Sequence, residues 1–180
     1  MLLQSLKKNL AITFCNSYNR RINNKKRGMK DRLTPNQIES FEDNGGFNLQ
    51  RFLDAQSHCY QQALQEVEDG RKRSHWIWYI FPQLAILGHS YNAKYYGISG
   101  YDEAEAYLNH PVLNERLRAI TKALLVHTDK DAVEIFGGLD AMKVRSCMTL
   151  FDAVSPNDVF QEVLDKFYKG KYDLKTLNYM

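Results

Sequence analysis

Apolar residues after position 47 of this chain recur at spacings of three and four, which is the period of an α-helix rather than a β-strand. The first such segment follows Asn48, a residue suited to capping a helix, and runs to Gly70, where a left-handed stop is expected. The pattern therefore predicts one long helix within 48–70. Its buried face is predicted to comprise Leu49, Phe52, Leu53, Tyr60, Ala63, Leu64 and Val67.

A short helix is predicted next, over 76–81, with Ser74 as its cap and Pro82 as its limit. The dense aromatic and β-branched residues of 76–81 leave a strand open as the alternative. Glycines at 88, 97 and 100 then predict a middle that is rich in loops.

The remaining apolar pattern predicts four more helices. They cover 102–108, a segment opened by His110-Pro111, a short segment from Asp129 or Asp131 to Gly137, and 140–154. A last helix is predicted to start at Ser155-Pro156 and to stop at Gly170. Because no segment of useful length alternates apolar and polar residues, the predicted fold is all-α: a single compact multi-helix domain with several short helices and a loop-rich middle.

The composition is typical of one soluble domain: 180 residues, 44% hydrophobic and 25% charged. Apolar runs are too short for a membrane span, so no membrane partner is expected. Cys15, Cys59 and Cys147 are far apart and lie in no ligand spacing, which favours reduced thiols, a cytoplasmic protein and no metal site. No nucleotide-loop or hydrolase motif is present, and no cofactor is predicted.

The net charge of +3 hides an asymmetry. Residues 1–28 hold seven of the 24 basic residues and none of the 21 acidic ones, so 29–180 has 17 bases against 21 acids, a net charge of −4. Nucleic acid is therefore not an expected partner, except through the basic tail. Residues 1–46 are predicted to be a basic extension with a polar lead-in, and 47–180 to be the helical domain. Residues 1–28 have three interpretations: a targeting segment, a nucleic-acid-binding arm, or sequence upstream of a true start at Met29.

The segment 71–83 carries the best candidate chemistry, because three cations run into an aromatic block that contains both tryptophans. Polar residues cost free energy in such a block unless they have partners. We expect a polar-aromatic pocket for a flat, anionic, nucleotide-like small molecule. His75 is the predicted acid or base and Lys143 the predicted charge stabiliser. The other predicted ligand-binding residues are Arg71, Arg73, Trp76, Gln83 and Ser146.

Each of these residues also has a purely structural interpretation. Lys143 and Ser146 lie on or beside the apolar face predicted for 140–154, which includes Leu139 and Met142. Lys143 can cover apolar surface with its stem while its head stays in water, and Ser146 can bond to the preceding turn. The alternative function is a protein-interaction module without catalytic activity. Its predicted interface comprises Tyr91, Tyr95 and Tyr96.

Several blocks together resemble a known family. They are the run from Phe47 to Gln56, the run from Gly70 to Leu84, Tyr107 to Leu113, Ile135-Phe136-Gly137, and Lys143 to Phe151. Over 47–180 the chain resembles an uncharacterised, mainly bacterial domain family of unknown function, which genome annotation sometimes labels calpastatin. The resemblance implies a compact all-α domain, and it supplies no reaction, substrate or catalytic residue.

Overall fold

A computed structural model of the chain describes residues 45–180, of which Asn48–Met180 form one unit built from helices. In chain order its α-helices are α1 (Gln50–Glu68), α2 (Ile77–Ile80), α3 (Tyr91–Tyr95), α4 (Tyr101–Asn109), α5 (Pro111–Leu125), α6 (Ala132–Phe136), α7 (Gly138–Val154), α8 (Val159–Tyr168) and α9 (Leu174–Tyr179). Between α2 and α3 lie a 3₁₀ turn, Ala85–Leu87, and one parallel bridge from Leu84 to Ile98. Apart from this single bridge, residues 45–180 contain no β-strand, so the all-α prediction is confirmed. The interpretations of residues 1–28 lie outside the described residues.

Helix α7 is the centre of the packing. Helices α2, α4, α6, α8 and α9 all pack against it. The ring of Phe151 on α7 lies 5.3 Å from that of Tyr107 on α4 and 5.7 Å from that of Phe160 on α8, measured between centroids. All three aromatic side chains are fully buried, so this contact joins three helices through large packed rings.

The long first helix ends as its sequence predicts. Gly70 has φ of +66°, the left-handed conformation that glycine adopts without a steric penalty. The Lys130 ammonium also donates to the carbonyls of Asp69 and Gly70, which satisfies backbone acceptors at the helix end. At the start, the prediction of Asn48 as the cap is wrong: Leu49 holds that position, and no side chain caps the helix.

Two other predicted helix caps, Ser74 and Ser155, are wrong for the same physical reason. Each serine hydroxyl donates to a carboxylate instead of capping the helix. Ser74 does not cap α2, because its hydroxyl donates to the Glu66 carboxylate. Ser155 does not cap α8, because its hydroxyl donates to Asp158, whose carboxylate accepts the N–H of Val159 and caps the helix instead. Helix α7 begins two residues earlier than predicted, at Gly138.

Two residues assigned to the buried face of α7 are exposed. Leu139 is 73% exposed and Met142 is 54% exposed. The apolar pattern alone could not show this exposure, because the exposure of a helix face depends on where a neighbouring helix lies. Helix α9, which the sequence pattern did not predict, packs on α7 and begins beside Ser146, where Asp173 accepts the serine hydroxyl.

A buried ion pair ties the first helix to the loop-rich middle. The guanidinium of Arg51 lies 2.7 Å from a carboxylate oxygen of Glu103, and both side chains are more than nine-tenths buried. Arg51 also donates to the carbonyl of Gly97, and Glu103 accepts the N–H of Ser99 at 2.7 Å. The pair therefore holds α1, α4 and the loop between 97 and 100 together.

Replacing Glu103 with alanine should lower the free energy of unfolding by about 3–5 kcal/mol, because it leaves the Arg51 charge buried and unpaired. Urea denaturation monitored by circular dichroism measures the change. Asp69→Asn is the control, since Asp69 pairs with Arg73 on the surface and such pairs contribute little. A Glu103→Ala protein as stable as this control would contradict the prediction.

Candidate functional site

One buried carboxylate organises the segment that carries the candidate chemistry. Oε2 of Glu66, on α1, accepts the backbone N–H groups of Arg73 at 2.7 Å and Ser74 at 3.0 Å. The same oxygen accepts the indole N–H of Trp76 at 2.9 Å. Oε1 accepts the Ser74 hydroxyl at 2.6 Å and the amide of Gln62 at 3.2 Å. Five donors on one carboxylate fix residues 73–76 against α1.

These hydrogen bonds also set the protonation of Glu66. Burial by itself would raise the pKa of this carboxyl group. The donors from Arg73, Ser74 and Trp76 outweigh burial and lower the pKa of Glu66 to about 2. Glu66 is therefore an anion at every physiological pH, and its hydrogen-bond acceptors stay available to the segment.

Two lysines converge on one aspartate beside both tryptophans. The ammonium of Lys72 lies 2.8 Å from Oδ2 of Asp140, and that of Lys143 lies 2.7 Å from Oδ1. Each ammonium also lies 5.2 Å from the centroid of an indole ring, Lys72 at Trp76 and Lys143 at Trp78. We call these three charged residues the lysine–aspartate group. It carries a net charge of +1 and is flanked by two aromatic rings.

The side chains of the lysine–aspartate group differ in exposure. The side chain of Lys72 is 9% exposed, whereas that of Lys143 is 26% exposed. Burial acts to raise the pKa of Asp140, but the hydrogen bonds and charges of Lys143 and Lys72 lower it overall. Asp140 is therefore ionised at neutral pH, and Lys143 is the more accessible of its two cationic partners.

The lysine–aspartate group lies at the N-terminus of α7. Gly137 precedes the helix with φ of +77°, and no side chain caps the helix. A methyl group placed on Gly137 or Gly138 would meet nothing within 4 Å, so the backbone is open here. The first N–H groups of a helix lack intrahelical partners and carry partial positive charge, which favours an anion.

The other residues predicted in segment 71–83 have different surroundings. Arg71 and His75 are exposed, and the His75 carbonyl accepts the Tyr79 hydroxyl. Arg73 is exposed and pairs with Asp69 at 2.8 Å. Trp76 is buried. Gln83 is half-buried, and its backbone carbonyl accepts the N–H of Ile98. Segment 71–78 thus borders the lysine–aspartate group, while Gln83 belongs to the bridge that follows it.

Ser146 makes contacts of a different kind from those of Lys143. Its hydroxyl lies 2.7 Å from Oδ2 of Asp173, which also accepts the hydroxyl of Thr176. The backbone N–H of Asp173 donates to Thr149. The block from Lys143 to Phe151 is therefore divided between two tasks, with Lys143 directed to α2 and Ser146 with Thr149 holding the start of α9.

Sequence reasoning missed three residues of this site: Glu66, Asp140 and Trp78 as a partner of Lys143. Glu66 had a readable signal, because it lies three residues after Ala63 and beside Val67 on the buried face of α1. A charged residue at an apolar position indicates a buried partner. Asp140 lies three residues before Lys143, a spacing that makes neighbours on a helix. Nothing in the sequence pointed to the contact with Trp78.

Across residues 45–180 no helix is long and apolar enough to cross a membrane. In the same residues no three histidine, cysteine, aspartate or glutamate side chains are placed to hold a metal ion. The fold and site therefore define a small helical protein with a cationic, tryptophan-flanked helix terminus.

Comparison with known proteins identifies the family. Residues 46–180 match the family described as Protein of unknown function (DUF1810), and the chain belongs to that family. The crystal structure of the conserved hypothetical protein Rv1873 from Mycobacterium tuberculosis is similar, with 41% sequence identity and a TM-score of 0.73. The match covers 74% of this chain and 96% of that one. No curated protein matches the chain. The resemblance read from the sequence over 47–180 is thus confirmed.

Glu66→Gln should flatten the acid dependence of stability. The depressed pKa of Glu66 means that its stabilising contribution is complete above the ordinary value of 4.5 and is lost as the pH falls toward about 2. We expect Glu66→Gln to cost about 1–3 kcal/mol at pH 7, because an amide N–H₂ replaces an oxygen that accepts hydrogen bonds. Urea denaturation at several pH values between 2 and 7 measures both effects.

Glu68→Gln is the matched control, because Glu68 is exposed at the end of the same helix. It should leave both the stability and its pH dependence close to those of the parent. If Glu66→Gln keeps the full loss of stability below pH 4.5, Glu66 is not the carboxyl group responsible.

Proposed function

We propose that this protein binds a flat, anionic, nucleotide-like small molecule at the N-terminus of α7. The observation that carries the proposal is the lysine–aspartate group, in which two ammonium groups share one carboxylate and each lies over a tryptophan ring. Cations beside aromatic surfaces suit a ligand that combines a phosphate or carboxylate with a planar ring.

The charges around α7 support an anionic ligand. Asp140 balances only one of the two lysines, so one positive charge remains. The uncapped helix terminus adds partial positive charge at the same place, and the open backbone at Gly137 and Gly138 leaves room for a ligand group to approach it. The exposed side chains of Arg71 and His75 belong to the adjoining segment. An anion would enter a region of net positive potential.

The aromatic residues support a planar group. Trp78 is half-buried, and the Lys143 ammonium lies over its ring. Trp76 is buried and its indole N–H is already bound to Glu66, so it serves as a fixed wall rather than as a contact surface. Under this proposal Lys143 contacts the anionic part of the ligand and Trp78 the ring. If the protein is an enzyme, His75 is the proposed acid or base and Lys143 the proposed stabiliser of charge.

A thermal-shift experiment on the full chain tests the proposal, with ADP, AMP, adenosine and inorganic phosphate as probes. A ligand present at 100 times its Kd should stabilise the protein by about 2.7 kcal/mol. We expect ADP or AMP to raise Tm more than adenosine or phosphate alone. Adenosine supplies only the ring and phosphate only the anionic group, so each makes half of the proposed contacts. Lys143→Ala and Trp78→Ala should each remove most of the shift.

Lys122→Ala is the control, because Lys122 is an exposed lysine on α5. It should keep the parent's response. His75→Ala tests whether His75 lines the same site. If inorganic phosphate alone gives the full rise in Tm, the site binds an anion and no planar ring stacks on Trp78. No shift with any probe, in a parent protein that unfolds cooperatively, would contradict the proposal.

An interaction module without catalytic activity is the second candidate, and a row of tyrosines favours it. Tyr91 is 78% exposed, and its ring stacks on that of Tyr95 with centroids 5.7 Å apart. The ring of Tyr96 meets those of Tyr95 and Tyr79 edge to face at 4.9 and 5.0 Å. Exposed tyrosines are enriched in protein interfaces. This candidate is favoured over the first if the parent protein shows no nucleotide response and if Tyr91→Ser abolishes the binding of a partner protein.

A further inference from the structure

The first turns of α7 present an apolar edge next to a charged edge. Successive helical residues are separated by about 100° around the axis, so Met142, Leu139, Lys143 and Asp140 occupy one continuous arc of about 160°. Leu139 and Met142 are largely exposed, as described above. Lys143 follows them on the arc and separates them from Asp140. One face of the helix thus changes from apolar to charged within a few ångströms.

Helix α9 adds a second pair of exposed apolar side chains. Leu174 is 71% exposed and Leu177 is 44% exposed, and they lie one turn apart. Asp173, the residue before Leu174, is bound to Ser146, whose hydroxyl also lies 3.1 Å from the carbonyl of Met142. The start of α9 therefore adjoins α7 one turn after Met142. We call Leu139, Met142, Leu174 and Leu177 the apolar shelf.

The apolar shelf is where the cover of α7 ends. At Ser146 and Thr149 the same stripe of α7 is covered by the start of α9, whereas the stripe at Leu139 and Met142 is exposed. Four large apolar side chains exposed on two adjoining helices are more than the scattered single residues expected on a soluble protein. Their spacing of three residues in both helices is that of surfaces that receive another helix.

We propose that the apolar shelf docks an amphipathic helical segment of a partner protein, one that carries acidic residues beside its apolar face. Apolar residues of the segment cover the shelf, and an acidic residue pairs with Lys143 at the border. Charge complementarity selects this occupant, because the lysine–aspartate group that adjoins the shelf has a net charge of +1. The inference goes beyond the proposed small-molecule site and requires no ligand in it.

A protein segment suits the shelf better than a membrane does. The positive charge at the shelf is local and matches one or two acidic side chains rather than an extended anionic surface. A helical segment also matches the i, i+3 spacing on both α7 and α9.

Fluorescence anisotropy of the full chain with labelled synthetic peptides tests the docking surface. The probe is a 14-residue amphipathic helix with leucines at i, i+3, i+4 and i+7 and glutamates at the border of that face. Its matched control has lysines in place of the glutamates. We expect the glutamate peptide to bind at least about tenfold more tightly than the lysine peptide, a difference of about 1.4 kcal/mol.

Met142→Ser and Leu174→Ser should each raise the Kd of the glutamate peptide by about tenfold, since each removes apolar area from the contact. Both side chains are exposed, so the fold is expected to remain, and circular dichroism verifies it. Val126→Ser is the matched control: Val126 is 76% exposed but lies at the end of α5. It should leave peptide binding unchanged.

Three results would overturn the docking proposal. They are no binding of the glutamate peptide at 100 μM, equal binding of the lysine peptide, and equal weakening by Val126→Ser. Binding to phosphatidylserine vesicles that is lost in Met142→Ser and Leu174→Ser, without peptide binding, would assign the shelf to lipid instead. The nucleotide response of these variants is measured in parallel, so that failure of the shelf and failure of the small-molecule site are told apart.

Discussion

The carboxylate of Glu66 is the interaction on which the arrangement of the site depends. A buried charge is tolerated when its hydrogen bonds are satisfied, and here the satisfying donors come largely from the segment 73–76. The chain can bury Glu66 only by folding that segment back onto α1. This requirement fixes the tryptophan ring at 76 and leads the following turn, α2, toward α7. The cations next to the segment are placed as a consequence.

Helix α7 connects the two surfaces for which roles are proposed. Its first turns carry Asp140 and Lys143 toward α2, while Leu139 and Met142 point to the solvent beside α9. Its later turns are buried against α4, α8 and α9, so the core fixes the helix axis. An exposed terminus on a fixed helix presents both charge and apolar surface with little conformational freedom.

The helical fold was predictable because it depends on local patterns, and the site was not, because it depends on pairs distant in sequence. The spacing of apolar residues gave α1, α4, α5, α7 and α8, and glycine gave the stop at Gly70. Lys143, Trp76 and the cationic run were identified as unusual. Their partners Glu66 and Asp140 were missed, since a sequence shows that a polar residue needs a partner but not which residue supplies it. Ser74, Ser146 and Ser155 show the same limit, because each hydroxyl has a carboxylate partner that local pattern could not name.

The attachment of α9 has a consequence for the behaviour of the C-terminus. Thr176 is the buried residue of this helix, and it is held, like Ser146, by the carboxylate of Asp173. Hydrogen bonds of this kind contribute less net free energy than a packed apolar face. We therefore expect the last helix to open more readily than the core, so that its amide protons exchange with solvent before those of α7. When it opens, Ser146 and Thr149 lose their contacts with Asp173, and polar groups of α7 beside the apolar shelf become accessible to solvent.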